Sequence, residues 1–245
     1  MFEALLFSFS FVLLSLLIIF KEKLGFSKEI FIAEILALLQ LVILGYIIGI
    51  IFSLNLTYTF LLITVMIIIA SFMVEGNVTK SKDKKIILSS FFAIFISTAV
   101  STMILVFSGT IIFESQYLIP LLGMVIGNST NAVSIALERF LNDLKAEKDV
   151  LWGYLALGAT ERQSVSPYIK KSVKASITPH LNSTRAVGLI FIPGAMVGLL
   201  IAGIDPIEAA KIQVTIMWMI MFSSIFSSTL SCCLLYRNFI HKTSN

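Results

Sequence analysis

Seven apolar stretches, joined by connections that alternate between basic and nearly uncharged, constrain this 245-residue chain more than any other feature. They cover residues 3–20, 31–52, 57–74, 86–108, 117–137, 186–203 and 212–236. A helix needs roughly 20 apolar residues to cross about 30 Å of hydrocarbon, and each stretch is near that length. The runs are continuous rather than alternating, which predicts helices and not the ~10-residue strands of a membrane barrel. Hydrophobic residues make up 58% of the chain and charged residues only 13%, about half the usual share of a soluble domain. The expected fold class is an all-α integral membrane protein of seven transmembrane helices. It forms a single domain over 1–245, with one long cytoplasmic region over 138–185.

Charge placement sets the expected orientation. Of the 18 basic residues, 17 fall in every second connection or at the C-terminus: Lys21 to Lys28, Lys80 to Lys85, Arg139 to Arg185, then Arg237 and Lys242. The opposite connections hold only Lys211. The positive-inside rule therefore puts the N-terminus outside and the C-terminus in the cytoplasm. The same count explains the basic balance of the chain, which reads as topology plus attraction to anionic membrane lipid, not as nucleic-acid binding. The expected location is the cell membrane, as a multi-pass protein of a bacterial plasma membrane. No Lys or Arg precedes the first stretch, so it does not read as a cleavable signal.

Several chemistries lack their residues. There is no GxxxxGK[ST] phosphate loop, no HExxH, and no GxSxG, and the two histidines, His180 and His241, lie far apart in sequence. Cys232 and Cys233 read as small buried hydrophobes. No cofactor is expected in this chain, its metal ligands remain unassigned, and no enzymatic activity is expected of it.

Within the spans, small residues permit close backbone approach in lipid. Gly45 and Gly49, Gly123 and Gly127, and Gly194 and Gly198 form three GxxxG pairs, expected to mark a tight bundle, a dimer face, or both. Pro193 ahead of Gly194 predicts a kink near mid-membrane, because proline removes a backbone donor. Glu34 lies about one turn inside the second stretch, near its cytoplasmic end, and Gln40 and Asn128 lie deeper in theirs. Together with Pro193 and Gly194 they are the candidate translocation path. An interfacial Glu34, and interhelical hydrogen bonds from Gln40 and Asn128, are the plainer readings. Glu75 reads as interfacial.

The long polar region carries most of the remaining information. Residues 138–148 have apolar side chains at helical spacing, so the fifth span is expected to continue into the cytoplasm. In the run Leu157, Gly158, Ala159, Thr160, Glu161, Arg162, Gln163, the glycine permits a sharp reversal and Thr160 can cap a short helix starting at Glu161. Pro167 and Pro179 are expected to limit the helices on either side. A docking element and an amphipathic helix lying on lipid fit this composition equally well.

The string "LALGATERQS" (155–164) resembles the coupling-loop signature of ABC-transporter permeases. With "GMVIGN" (123–128), "RAVGLIFIPGAMVGLLIAGIDPIEAAKIQ" (185–213) and "KEKLGFSKEI" (21–30), the chain resembles the FetB iron-export permease family, which includes a plant aluminium-tolerance branch. The resemblance covers nearly the whole chain. It implies a permease homodimer paired with a separate ABC ATP-binding subunit that holds MgATP, with residues 157–163 as the coupling contact. Three positions depart from the family pattern: Leu36 for an arginine, Asn182 for an acidic residue, and Ala195 for a methionine. Iron efflux is the expected activity. The alternatives are export of a nucleotide sugar and an ion-driven secondary transporter, the latter predicting inverted repeats and broken helices.

Overall fold

The computed structural model describes residues 7–52, 55–79, 82–109 and 113–244, with side chains through His241. The start of the first expected stretch at residue 3, Lys80, and the side chain of Lys242 lie outside these residues. The described chain forms two compact units, 1–55 and 56–245.

The first unit holds α1 (Ser10–Lys21) and α2 (Ser27–Ile51). Lys23 and Gly25 take positive φ, 51° and 84°, to turn one helix into the next. Ile19 is the buried side chain of α1, whereas α2 buries none of its own against its neighbour. A Cβ built on Gly45 or Gly49 would meet no atom of this unit within 4 Å.

The second unit is built around α5 (Ser115–Ala146), against which pack α3 (Leu56–Val78), α4 (Lys84–Phe107), α7 (Glu161–Ala186) and α9 (Pro206–Ser244). Two short helices, α6 (Lys148–Ala156) and α8 (Gly194–Ile201), complete it. At 1.5 Å per residue, the 32 residues of α5 reach about 48 Å, well beyond the hydrocarbon thickness. The helix of the fifth apolar stretch thus runs on past residue 137 as expected. Its buried positions (Leu118, Leu122, Val125, Ser129, Ala132, Ala136, Phe140, Leu144) follow helical spacing along one flank.

Phe140, Leu141 and Leu144 of the extension meet Leu151, Val165, Ile169, Leu235 and Phe239 in one core. Outside lipid, each such side chain contributes about 1.5–3 kcal/mol through burial. Within lipid that driving force is lost and close packing replaces it. Accordingly, α4 and α9 approach closely, with Ser97 Oγ donating to the Ser223 carbonyl at 3.2 Å, and Ser90 and Ser101 of α4 and Ser224, Ser227, Ser228 and Ser231 of α9 are all buried. Glu75 joins neighbouring elements, since it is buried and its Oε1 accepts from the Asp83 amide at 3.0 Å. Asp83 in turn caps α4 by accepting from the Lys85 amide at 2.9 Å.

All helices and no strands are found among the described residues, in agreement with the all-α expectation. Five helices there, α2, α3, α4, α5 and α9, are long and apolar enough to cross a membrane. The sixth expected stretch, 186–203, is not one helix. Helix α7 ends at Ala186, the chain turns through Gly188 at φ +76°, and α8 covers only 8 residues, about 12 Å. Pro193 is the reason: it pushes its predecessor into extended backbone and sits as the extended N-cap of α8 (ψ 147°). It starts a helix, therefore, and does not kink one.

A second correction concerns Pro167 and Pro179. Both lie inside α7, which runs unbroken for 26 residues, so the helix after Thr160 is long and not short. Val165, Tyr168, Ile169, Ser172 and Ser176 are buried at helical spacing. That continuous packed stripe against α5 and α9 outweighs the two lost backbone donors.

Candidate functional site

The turn between α6 and α7 is built by local chemistry. Gly158, at φ +88°, ends α6: its amide donates to the Leu155 carbonyl at 3.0 Å, and the Ala159 amide donates to that of Tyr154 at 3.0 Å. This is a glycine-terminated C-cap, in which a side chain at Gly158 would be strained. Thr160 then starts α7 with a complete capping box. Its Oγ1 accepts from the Gln163 amide at 3.3 Å, and Gln163 Oε1 accepts from the Thr160 amide at 2.9 Å. Leu157 stands 88% exposed on the turn, an apolar side chain with no cover from this chain. The expectation of a Thr160-capped helix beginning at Glu161 thus matches the structure.

The end of α9 braces this turn. Arg237 Nε lies 3.3 Å from Glu161 Oε2, while the guanidinium groups of Arg162 and Arg237 lie 6.0 and 5.8 Å from the Tyr236 ring centre. With Thr160 and His241 these residues line an open cleft of 470 Å³. Further along, Lys171 Nζ meets Asp143 Oδ2 at 3.1 Å, joining α7 to α5. Burial, followed by the hydrogen bond with Glu147, pushes the Tyr168 phenol up to about 12, so it remains protonated at this junction.

Thr160→Ala is expected to lower stability by about 0.5–2 kcal/mol, the usual cost of losing a cap. Amide exchange over 161–164 should rise while the amides near Ser172 stay protected. Unchanged exchange at Gln163 would contradict the capping role.

Helix α7 runs antiparallel to α5. It starts where Glu161 meets the end of α9, and its middle meets the middle of α5. There Ser176, Pro179 and His180 share a 440 Å³ cavity with Asn131, Ser134, Ile135 and Glu138 of α5 and Asn77 of α3. Beyond the break at 187–193, Ala195 of α8 packs against a cluster that includes Leu121, Met124 and Val125 of α5. The same cluster includes Ile212, Ile216 and Met219 of α9, the helix against which α8 packs.

Two of the candidate path residues, Glu34 and Gln40, belong to the first unit and three, Asn128, Pro193 and Gly194, to the second. Glu34 and Gln40 are exposed on α2 and, six residues apart, point about 120° from one another around that helix. Asn128 lies on α5, where its Nδ2 donates to the Met124 carbonyl one turn back at 2.7 Å, so its bond is intrahelical. Pro193 and Gly194 open α8. Of the paired glycines in the second unit, Gly123 faces a neighbour, Met66 Cε at 3.5 Å. A Cβ at Gly127, Gly194 or Gly198 would meet nothing within 4 Å. Leu36 and Asn182 are exposed, and Ala195 is half-buried.

Sequence reasoning missed the cavity lined by Asn77, Asn131, Ser134, Glu138, Ser176 and His180. Its signal was present: positions 131, 134 and 138 fall on one face of α5. The partners on α7 were hidden by the expectation that Pro179 ends a helix.

A family model described as "Uncharacterised protein family (UPF0014)" matches residues 2–240. The chain is 34% identical over 242 residues to "Probable iron export permease protein FetB" of Escherichia coli (strain K12), covering 98% of this chain and 92% of that protein. It is also 34% identical over 229 residues to "UPF0014 membrane protein YjkA" of Bacillus subtilis (strain 168), covering 92% of this chain and 88% of that one. In a plant, it is 31% identical over 222 residues to "UPF0014 membrane protein STAR2" of Oryza sativa subsp. japonica, covering 90% and 77%. No solved structure matches.

Proposed function

The chain belongs to the UPF0014 family of membrane proteins, and from that premise we propose that it is the permease subunit of an ABC-type exporter in a bacterial plasma membrane, moving iron out of the cell. Its cytoplasmic turn, Leu157 to Gln163, docks into a separate ATP-binding subunit that holds MgATP. The cargo is taken from the bacterial relative, whose name is that of an iron export permease.

One observation carries the coupling: α7 is a single 26-residue rod from the capped Thr160 turn to the break at 187–193. Movement imposed on the turn is delivered to the break without an intervening joint. Exposed Leu157 is the apolar anchor for the partner, and the Glu161–Arg237 pair makes α9 follow the same motion. In this reading the end of α7, the break and α8 form the sixth crossing. Seven crossings result, with the N-terminus outside and the C-terminus inside.

The exposed face of α7 carries Lys170, Lys174, Asn182 and Arg185. A charge facing hydrocarbon costs roughly 2.5–3.5 kcal/mol, and non-helical backbone at membrane depth survives only against protein or water. A second copy facing this one supplies both, with a water-filled route between. The open faces of Gly127, Gly194 and Gly198 suit such a contact. The same basic side chains favour one alternative cargo, a phosphate-bearing nucleotide sugar. The broken crossing is the one feature that favours an ion-driven carrier.

The test is purification of the full chain in mild detergent from its native membrane. A stoichiometric ATPase is expected to accompany it and to be lost in Ala159→Asp, which puts a charge on the docking turn without touching the core. Inside-out vesicles should take up Fe²⁺ on addition of MgATP. A chain that purifies alone, and moves iron only under an imposed ion gradient, would overturn the ABC reading.

A further inference from the structure

We propose that the polar cavity between α3, α5 and α7 is a binding site for a divalent first-row transition cation, through which cargo is loaded from the cytoplasmic side. Its role in loading rests on the export reading above; the binding itself does not. The cavity measures 440 Å³ and is lined by Asn77, Asn131, Ser134, Glu138, Ser176 and His180, with Pro179 and Ile135. Three separate helices thus bring a carboxylate, an imidazole, two carboxamides and two hydroxyls to one opening, whereas a second cavity of this unit is mostly apolar and a third is the cleft lined by Arg162, Tyr236 and Arg237.

The donor set points to the ligand. Imidazole favours first-row ions such as Fe²⁺, Co²⁺ and Zn²⁺, and carboxylate and amide oxygens accept the harder members of that series. Glu138 supplies the charge: among the described residues no ion pair engages it, because its neighbour Arg139 is turned to Asp143 at 3.9 Å and Lys171 is also held there. The nitrogen of Asn77 is occupied, donating to Ser134 Oγ at 3.3 Å, which leaves its carbonyl oxygen as the group to meet a cation. Ser134 and Ser176 form a buried floor, and Asn77, Asn131 and Glu138 an exposed rim. An ion can therefore enter from water and keep part of its hydration shell.

The strength of the site follows from its count of charged ligands. No group of three or more His, Cys, Asp or Glu side chains is assembled among the described residues. Two such ligands with water completing the shell bind weakly, which suits an ion that must leave again. The location fits as well: α7, which carries Ser176 and His180, is the rod that the coupling turn moves. A shift of α7 along α5 separates His180 from Glu138 and divides the ligand set.

The experiment titrates the purified full chain with Co²⁺, and with Fe²⁺ under anaerobic conditions, following the visible absorption of bound cobalt and the stoichiometry. One ion per chain is expected, with E138Q and H180Q each weakening binding by about tenfold or more. N131D adds a carboxylate at the rim and is expected to tighten binding, so the proposal does not rest on losses alone. Absent Co²⁺ binding by the parent chain, or equal affinity in all three variants, would sink the site. Binding as expected, without ATP-driven Fe²⁺ uptake in vesicles, would leave the site standing and remove the export reading. Uptake undiminished in the E138Q/H180Q double variant would overturn the loading role.

Discussion

Phe140→Ala is expected to destabilise the protein by about 3–5 kcal/mol, the range for deleting a fully buried aromatic side chain. Phe140 is completely buried, and its ring centre lies 5.6 Å from that of Phe239, also completely buried. Leu144, Leu151, Val165 and Ile169 close the same core. This core joins α5, α7 and α9 on the extension of α5 beyond its apolar stretch, so lipid cannot fill the void. The truncation loses the apolar transfer of a whole ring and leaves a cavity that the long helices around it cannot collapse. Phe107, 88% exposed at the end of α4, is the control; its alanine variant should lie within about 0.5 kcal/mol of the parent. Unfolding in mixed micelles, read by helix content, measures both. A loss below about 1 kcal/mol for Phe140→Ala would mean that this junction is not a packed core. The variant should also weaken coupling, because the same residues hold the base of α7 to its neighbours.

The features legible in sequence were those set by local chemistry or by composition. Continuous apolar runs gave the long helices α2 to α5 and α9, and charged residues with apolar ones at helical spacing gave the extension of α5 to Ala146. Gly158 and Thr160 announced the turn and the cap, because a left-handed residue and a hydroxyl acceptor act over three or four residues. Residues 186–203 misled for an equally physical reason. Hydropathy records that Leu189 to Ile192 are apolar, but not that Gly188 and Pro193 prevent them from being helical. Pro167 and Pro179 misled in the opposite sense. Their local preference for ending a helix was correct in kind and too weak in amount, since the stripe from Val165 to Ser176 is held by two neighbouring helices that no local window contains. The α7 side of the polar cavity was hidden for that reason too. Asn131, Ser134 and Glu138 share a face, yet what faces them depends on how far α7 runs. The path residues chosen from the spans, Glu34, Gln40 and Asn128, were selected by their place in the sequence pattern alone.

The buried serines of α9 yield the other large effect. Ser224→Leu is expected to cost about 3 kcal/mol, whereas Ser224→Ala should be neutral or slightly stabilising. Ser224 is completely buried, and its Oγ has no hydrogen-bond partner. Replacing the hydroxyl by a methyl hydrogen therefore removes a desolvated polar atom and gives up no bond. The carbonyl of Ser224, which accepts from Ser228 Oγ at 2.6 Å, is untouched by either change. Leucine acts through volume. Ser223, Ser224, Ser227, Ser228 and Ser231 are all buried on α9, and the bond from Ser97 to the Ser223 carbonyl shows how closely α4 and α9 approach. In lipid there is no hydrophobic gain from added side-chain area, because tails solvate a leucine as well as the protein does. The extra methyl groups bring no compensation for the separation they force, so the whole effect is destabilising. Unfolding of both variants in the same micelles decides the matter: equal stability of the leucine and alanine variants would show that the serines are there for polarity and not for size.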